Sequence, residues 1–178
     1  MKANEKKKFL IIGGGLAGIT LSHRLLNRNQ HVTLIDDGMN ASTKIAAGMV
    51  NPIVFRRTTL SWRATEFLAY SWDFYKALEK QLSTSFAEPL VIKRIFPTIN
   101  EKEEWKKKQG LPKYEDHLLK IEPSNEEQNV GIVRSGYVVH AEKFYIENQV
   151  YFEKTGVLQK ETFDDKLFSA LELSYRGK

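Results

Sequence analysis

Phe9-Leu-Ile-Ile12 is a run of four apolar residues, the pattern of a strand buried on both faces. After a glycine-rich turn, Leu16, Ile19, Leu21, Leu25 and Leu26 mark a helix that ends near Asn27–Asn29. His31-Val-Thr-Leu-Ile35 is a second strand, closed by Asp36-Asp37-Gly38. Strand, turn, helix and strand make a βαβ unit, which implies two parallel strands joined by a right-handed crossover. Residues 40–52 form a loop rich in small side chains. A long helix is predicted over 60–84, where Trp62, Thr65, Leu68, Trp72, Tyr75, Leu78 and Leu82 recur at spacings of three and four. That stripe reads as core packing. Further on, the pattern predicts a strand at 89–96 and a short charged helix at 101–109. Residues 110–129, broken by Pro112 and Pro123, read mostly as loop, and 131–140 as one strand or a hairpin. Next comes a helix over 141–154, with Phe144, Tyr145, Asn148, Tyr151 and Phe152 near one face and Gly156 as its C-cap. Strands at 157–163 and 171–175 complete the pattern.

Composition narrows the classes. The 178 residues have room for one ordinary domain or two small lobes, and 42% hydrophobic content supports a core. Net charge is +5, but Lys2, Lys6, Lys7 and Lys8 against Glu5 supply three of those charges ahead of the first strand. A basic tip of this kind is a solvated tail, so the pI of about 9.3 is a weak pointer to nucleic acid. With no cysteine, disulfides, thiolate metal sites and thiol catalysis are excluded within these residues. His23, His31, His117 and His140 have no metal-ligand partner at a sensible spacing, so no metal site is expected. No apolar run approaches the ~20 residues of a membrane span, and a cytoplasmic protein is expected.

The chemistry sits in Gly13-x-Gly15-x-x-Gly18, between the first strand and the first helix. Gly13 allows the tight turn, Gly15 lets backbone approach a pyrophosphate, and Gly18 lets helix and strand pack closely. The N–H groups opening the helix at Leu16 and Ala17, with its dipole, favour an anion. Asp36 follows about 20 residues on, at the end of the second strand, where a carboxylate accepts from ribose hydroxyls. These features together predict a dinucleotide site, and the acid there disfavours a 2′-phosphate. They leave NAD and FAD open.

The turn, the acid and the loop Ala41-Ser-Thr-Lys-Ile-Ala-Ala-Gly-Met-Val-Asn-Pro52 together resemble the D-amino-acid-oxidase-like family of FAD-dependent oxidoreductases. The resemblance is clear over the N-terminal 55 residues and looser through the long helix and Ser135–Phe144. It implies that Gly13, Gly15, Leu16, Ala17 and Gly18 hold the FAD pyrophosphate and Asp36 the adenosine ribose. It implies that Ser42 and Thr43 contact the phosphate or ribityl region. Ala46, Ala47, Gly48 and Met49 would then run along the flavin ring, and Phe163 would meet the adenine through its backbone. Asp37 stands where many relatives have a basic residue, which makes the adenosine side unusually acidic. The implied reaction passes a hydride from an amine or amino acid to flavin N5. The residues that grip substrate in the family come later than position 178, so an N-terminal portion of a longer protein is expected and no catalytic residue is assigned.

The expected fold is α/β: a Rossmann-like FAD/NAD(P)-binding lobe with a parallel sheet, interleaved with a smaller mixed α+β substrate lobe. The first lobe takes 1–86 and 141–178, the second 87–140. Three alternatives remain: an NAD-dependent dehydrogenase, an RNA-acting oxidase resembling the tRNA-modifying relative, and a non-catalytic FAD-binding module. Arg56-Arg57 meet either an anionic substrate or solvent, and His140 is expected to cap or brace the strand-to-helix junction.

Overall fold

A computed structural model of the chain describes residues 6–39, 42–119, 121–123, 129–169 and 174–175. The first elements in chain order are β1 (Lys8–Ile12), α1 (Leu16–Leu26), β2 (His31–Ile35), β3 (Met49–Val50), β4 (Ile53–Val54) and β5 (Thr59–Leu60). They are followed by α2 (Ala64–Leu82), β6 (Ala87–Ile95), α3 (Ile99–Gln109), β7 (Glu122–Pro123) and β8 (Asn129–Val139). The last are α4 (Ala141–Lys154), β9 (Leu158–Gln159), β10 (Phe168–Ser169) and β11 (Ser174–Tyr175). The predicted strand at 171–175 survives as β11, which pairs antiparallel with β10; its first three residues lie outside the described ones. The chain divides into two compact units, Met1–Ala46 with Glu142–Lys178, and Ala47–Ala141. Residues 47–86, grouped with the first lobe on sequence grounds, cluster with the second unit.

In the first unit β1 and β2 pair in parallel from Lys8 opposite His31 to Ile12 opposite Ile35, and β9 joins β2 in parallel. This parallel sheet with its crossover helix is the Rossmann-like α/β arrangement. β2 is central and buries Val32, Leu34 and Ile35. β1 was expected to be covered on both faces, but it is an edge among the described residues. Ile11 is buried while Ile12 is 55% exposed. β9 is shorter than the predicted 157–163 because the Glu161 N–H turns back to the Gln159 carbonyl, which takes the chain out of the ladder.

α1 and α4 are joined through their buried faces. His23 Nε2 lies 2.6 Å from Asn148 Oδ1, and the imidazole packs on Tyr151 and Phe152. Burial pushes the His23 pKa down, against the Asn148 hydrogen bond that raises it. α4 ends as predicted at Gly156. There the Val157 N–H reaches the Phe152 carbonyl, the Gly156 N–H reaches Glu153, and φ at Gly156 is 70°. α1 and α2 close with the same pair of bonds, but their left-handed residues are Asn29 and Ser83.

In the second unit β8 is one long strand, paired antiparallel with β3, β6 and β7. Between Leu90 and Ile92 the register shifts by one, so that Arg134 and Ser135 of β8 lie opposite Val91, a bulge in β8. Ile53, Ile92, Trp105, Tyr114, Leu118 and Val133 form the core. α2 packs on the sheet through Tyr75, Trp72 and Ser71, which meet Tyr137. Its Glu79 carboxylate is buried and accepts from the Phe86 and Ala87 N–H groups at 2.6 Å, tying the helix end to β6. Trp62 departs from the predicted stripe. Arg63 adopts a left-handed conformation (φ 51°) and breaks the helical register, leaving Trp62 77% exposed against Phe67. His117, in a polar stretch of sequence, is buried, 2.8 Å from Thr65 Oγ1 and 2.6 Å from Ser135 Oγ. No helix among the described residues is long and apolar enough to cross a membrane.

A non-glycine residue in the left-handed region costs roughly 1–2 kcal/mol. Ser83→Gly is therefore expected to raise stability by about 0.5–1 kcal/mol, part of the gain being offset by glycine's freer unfolded state. The urea midpoint measures it. His23 carries a folded pKa below its unfolded value of ~6.5, so the unfolded chain binds more protons and stability falls as pH drops below that value. His23→Gln is expected to flatten this dependence between pH 7.5 and 5.5. The remaining slope belongs to His117, whose pKa burial also lowers.

Candidate functional site

The β1–α1 turn is built by close approach. Gly13 sits at φ 95° and donates its N–H to the Ile35 carbonyl at 2.8 Å, so the turn begins at the C-terminal end of the parallel pair. A Cβ on Gly18 would lie 1.9 Å from the Gly13 carbonyl oxygen, which excludes any side chain where helix meets turn. At Gly13 a Cβ would meet nothing within 4 Å, and at Gly15 only the Thr43 hydroxyl at 3.3 Å. The backbone is therefore open on the side where a bulky anion approaches, a cradle that fits a pyrophosphate. Leu16 and Ala17 are exposed at the first turn of α1. Thr43 comes in from the loop and accepts the Leu16 N–H at 2.9 Å, capping a helix whose N-cap glycine has no side chain.

Asp36 ends β2 beside this turn. Its Oδ2 accepts from Tyr145 Oη at 3.1 Å and from Gln149 Nε2 at 3.1 Å. The same Gln149 amide donates to the Gly14 carbonyl at 3.2 Å. Burial, then the bond and charge of Asp36 and the charge of Asp37, push the Tyr145 phenol up to about 12, so it stays a donor. Asp37 accepts from the Met39 N–H and from Thr162, which hold its pKa below the usual carboxylate range. A cavity of ≈ 320 Å³ opens here, walled by Asp36, Asp37, Tyr145, Gln149, Leu158 and Lys160 among others. The arrangement offers backbone donors for phosphate oxygens and a fixed acceptor for hydroxyls.

Within the first unit the fold brings together Gly13, Gly15, Leu16, Ala17, Gly18, Asp36, Asp37 and Thr43. Ser42 and Ala46 are exposed nearby in sequence, and Ala41 lies outside the described residues. Phe163 is half-buried in irregular chain beyond β9, not in a strand. Ala47, Gly48 and Met49 belong to the second unit. There Gly48, at φ 69°, lies against β8 so closely that a Cβ would meet the Val139 carbonyl oxygen at 1.7 Å. Met49 pairs with Val138. Arg56 and Arg57 are exposed, and His140 Nε2 is 2.9 Å from exposed Glu88. Sequence patterning missed Tyr145, Gln149, Thr162 and the reason for Gly14. The one available signal was the i, i+4 spacing of Tyr145 and Gln149 on a helix.

These features define a dinucleotide-binding Rossmann-like fold. The family model for FAD dependent oxidoreductase matches residues 8–161, and the chain belongs to that family, whose cofactor is FAD. Among solved structures, iminodiacetate oxidase from Chelativorans sp. BNC1 superposes with a TM-score of 0.66 at 14% identity, covering 85% of this chain and 46% of that one. Glycine oxidase from Bacillus cereus ATCC 14579 gives 0.58 at 21%, covering 87% and 48%. L-proline dehydrogenase from P. horikoshii gives 0.59 at 17%, covering 89% and 45%. The chain thus spans less than half the length of these matched structures.

Gly18→Ala tests the close approach. Overpacking of this kind costs about 1–3 kcal/mol. Gly18→Ala is expected to lower the unfolding free energy by that amount. Gly110→Ala, where a Cβ meets nothing within 4 Å, is expected to stay within about 1 kcal/mol of the parent. Denaturant titration of the two variants provides the comparison.

Proposed function

We propose that this chain carries the FAD-holding part, and some of the substrate-holding part, of an oxidase or dehydrogenase acting on a small amine or amino acid. The observation that carries the reading is the open glycine turn beside a carboxylate fixed at the end of β2. In this reading Gly13, Gly15, Leu16, Ala17 and Gly18 hold the pyrophosphate, with the α1 dipole favouring its charge. Asp36 accepts from the adenosine ribose, and Asp37 adds a second negative charge that repels a 2′-phosphate. Ser42 and Thr43 lie toward the phosphates, and Ala46, Ala47, Gly48 and Met49 run along the flat ring, the first three with small side chains. The adenine meets the backbone near Phe163.

FAD, when bound, supplies the hydride acceptor; the protein binds, orients and excludes water. Met1–Ala46 with Glu142–Lys178 is the cofactor-holding unit in this proposal, and Ala47–Ala141 contributes to the substrate side. The substrate class rests on the matched structures, which include a glycine oxidase, an iminodiacetate oxidase, a proline dehydrogenase and an L-amino acid deaminase from Proteus myxofaciens.

The purified full-length protein is expected to be yellow or to become so with FAD, and anaerobic addition of glycine, sarcosine, proline or D-amino acids to bleach it. A protein that takes up no FAD sinks the reading; FAD uptake without bleaching by any amine removes the substrate class. Asp36→Ala is expected to weaken FAD binding by roughly 10- to 100-fold, the effect of losing one charge-assisted acceptor worth about 1.5–3 kcal/mol. Flavin fluorescence titration reads it.

A further inference from the structure

Asp36 is an acceptor with two unequal oxygens. Oδ2 receives Tyr145 Oη and Gln149 Nε2, which occupy its two lone pairs. Oδ1 has no side-chain partner among the described residues. Both donors come from α4, at sequence separations of 109 and 113 residues from Asp36. They are one helical turn apart, so a single helix face holds the carboxylate. Gln149 does more than bind the acid. Its amide also donates to the Gly14 carbonyl, which makes one side chain span the carboxylate and the glycine turn. Gly14 is shaped to permit this: a Cβ there would fall 2.6 Å from Gln149 Nε2 and 2.7 Å from Asp36 Oδ2. The space a methyl group would fill is the space the network occupies. A cavity walled in part by Asp36, Tyr145 and Gln149 adjoins this carboxylate.

We propose that Tyr145 and Gln149 are positioning residues that fix Asp36 so that Oδ1 alone faces the ribose 2′-hydroxyl, and that Gln149 locks this acceptor to the glycine turn. This rests on the dinucleotide reading of the site. An unrestrained aspartate rotates about two side-chain torsions and presents either oxygen. Here Oδ2 is saturated, so the hydroxyl meets one acceptor in one place. Recognition of the sugar then depends on residues that need not touch it.

The probes are adenosine 5′-diphosphate and its 2′-deoxy analogue, titrated calorimetrically against the whole chain. The parent is expected to bind the ribose form about tenfold more tightly, as one charge-assisted hydrogen bond requires. In Tyr145→Phe, Gln149→Leu and Gly14→Ala this preference is expected to fall to about threefold or less. Gly14→Ala presses on Gln149 Nε2 and on the Asp36 carboxyl group, its Cγ included at 2.9 Å, so it tests the network without a change in α4. A merely structural role would weaken both probes alike, because a smaller folded fraction leaves their ratio unchanged. A preference that stays near tenfold in all three variants overturns the inference while leaving the dinucleotide reading intact. A parent that binds the two probes equally also overturns it. A parent that binds neither probe and takes up no FAD defeats the underlying reading itself.

Discussion

The contact that the first unit depends on is the approach of Gly18 to the Gly13 carbonyl. It brings α1 down onto the turn at a distance no side chain allows. Everything nearby inherits its geometry from this approach. α1 starts at the turn with its Leu16 N–H held by Thr43, β2 follows beside β1 in parallel, and the acid after it arrives next to the glycines. The Gly13 N–H bonded to Ile35 closes the same corner from the strand side. A side chain at Gly18 would not remove one favourable contact; it would open the corner that holds them all.

That corner was legible because its signals are local. Glycine spacing, an apolar strand before it and an acid after the next strand all lie within 36 residues. Helix α4 was legible for the same reason, through its periodic face and Gly156. The elements misjudged were those decided by geometry that periodicity does not encode. Trp62 continues the α2 stripe in sequence, but the left-handed Arg63 places it outside the helix. β9 has the composition of a longer strand, but a tight turn at Gln159–Glu161 ends it. His117 sits in a polar segment and is nevertheless buried, because β8 and α2 supply hydroxyls to both ring nitrogens.

The candidate site shows the same division. Asp36 stands out along the chain, whereas its partners Tyr145 and Gln149 lie more than a hundred residues away and become visible only when α4 is packed. Gly14 is the sharpest instance. In sequence it is a spacer between two motif glycines, and in space it is the residue whose missing side chain admits a glutamine amide. The motif accounts for where an anion meets backbone. It carries no information about what keeps the acid in one orientation.

The pairing of Met49 with Val138 bears on how such a chain assembles. The first unit is discontinuous, and its His23–Asn148 bond joins residues 125 positions apart. Closing a loop of that length in a flexible chain costs about 4 kcal/mol of entropy. The second unit is one continuous segment, and its entering and leaving strands lie side by side in one sheet, about 5 Å apart. Once that sheet forms, the distant halves of the first unit hang from neighbouring points, and most of the closure cost has already been met. The inserted unit thereby acts as an internal clasp.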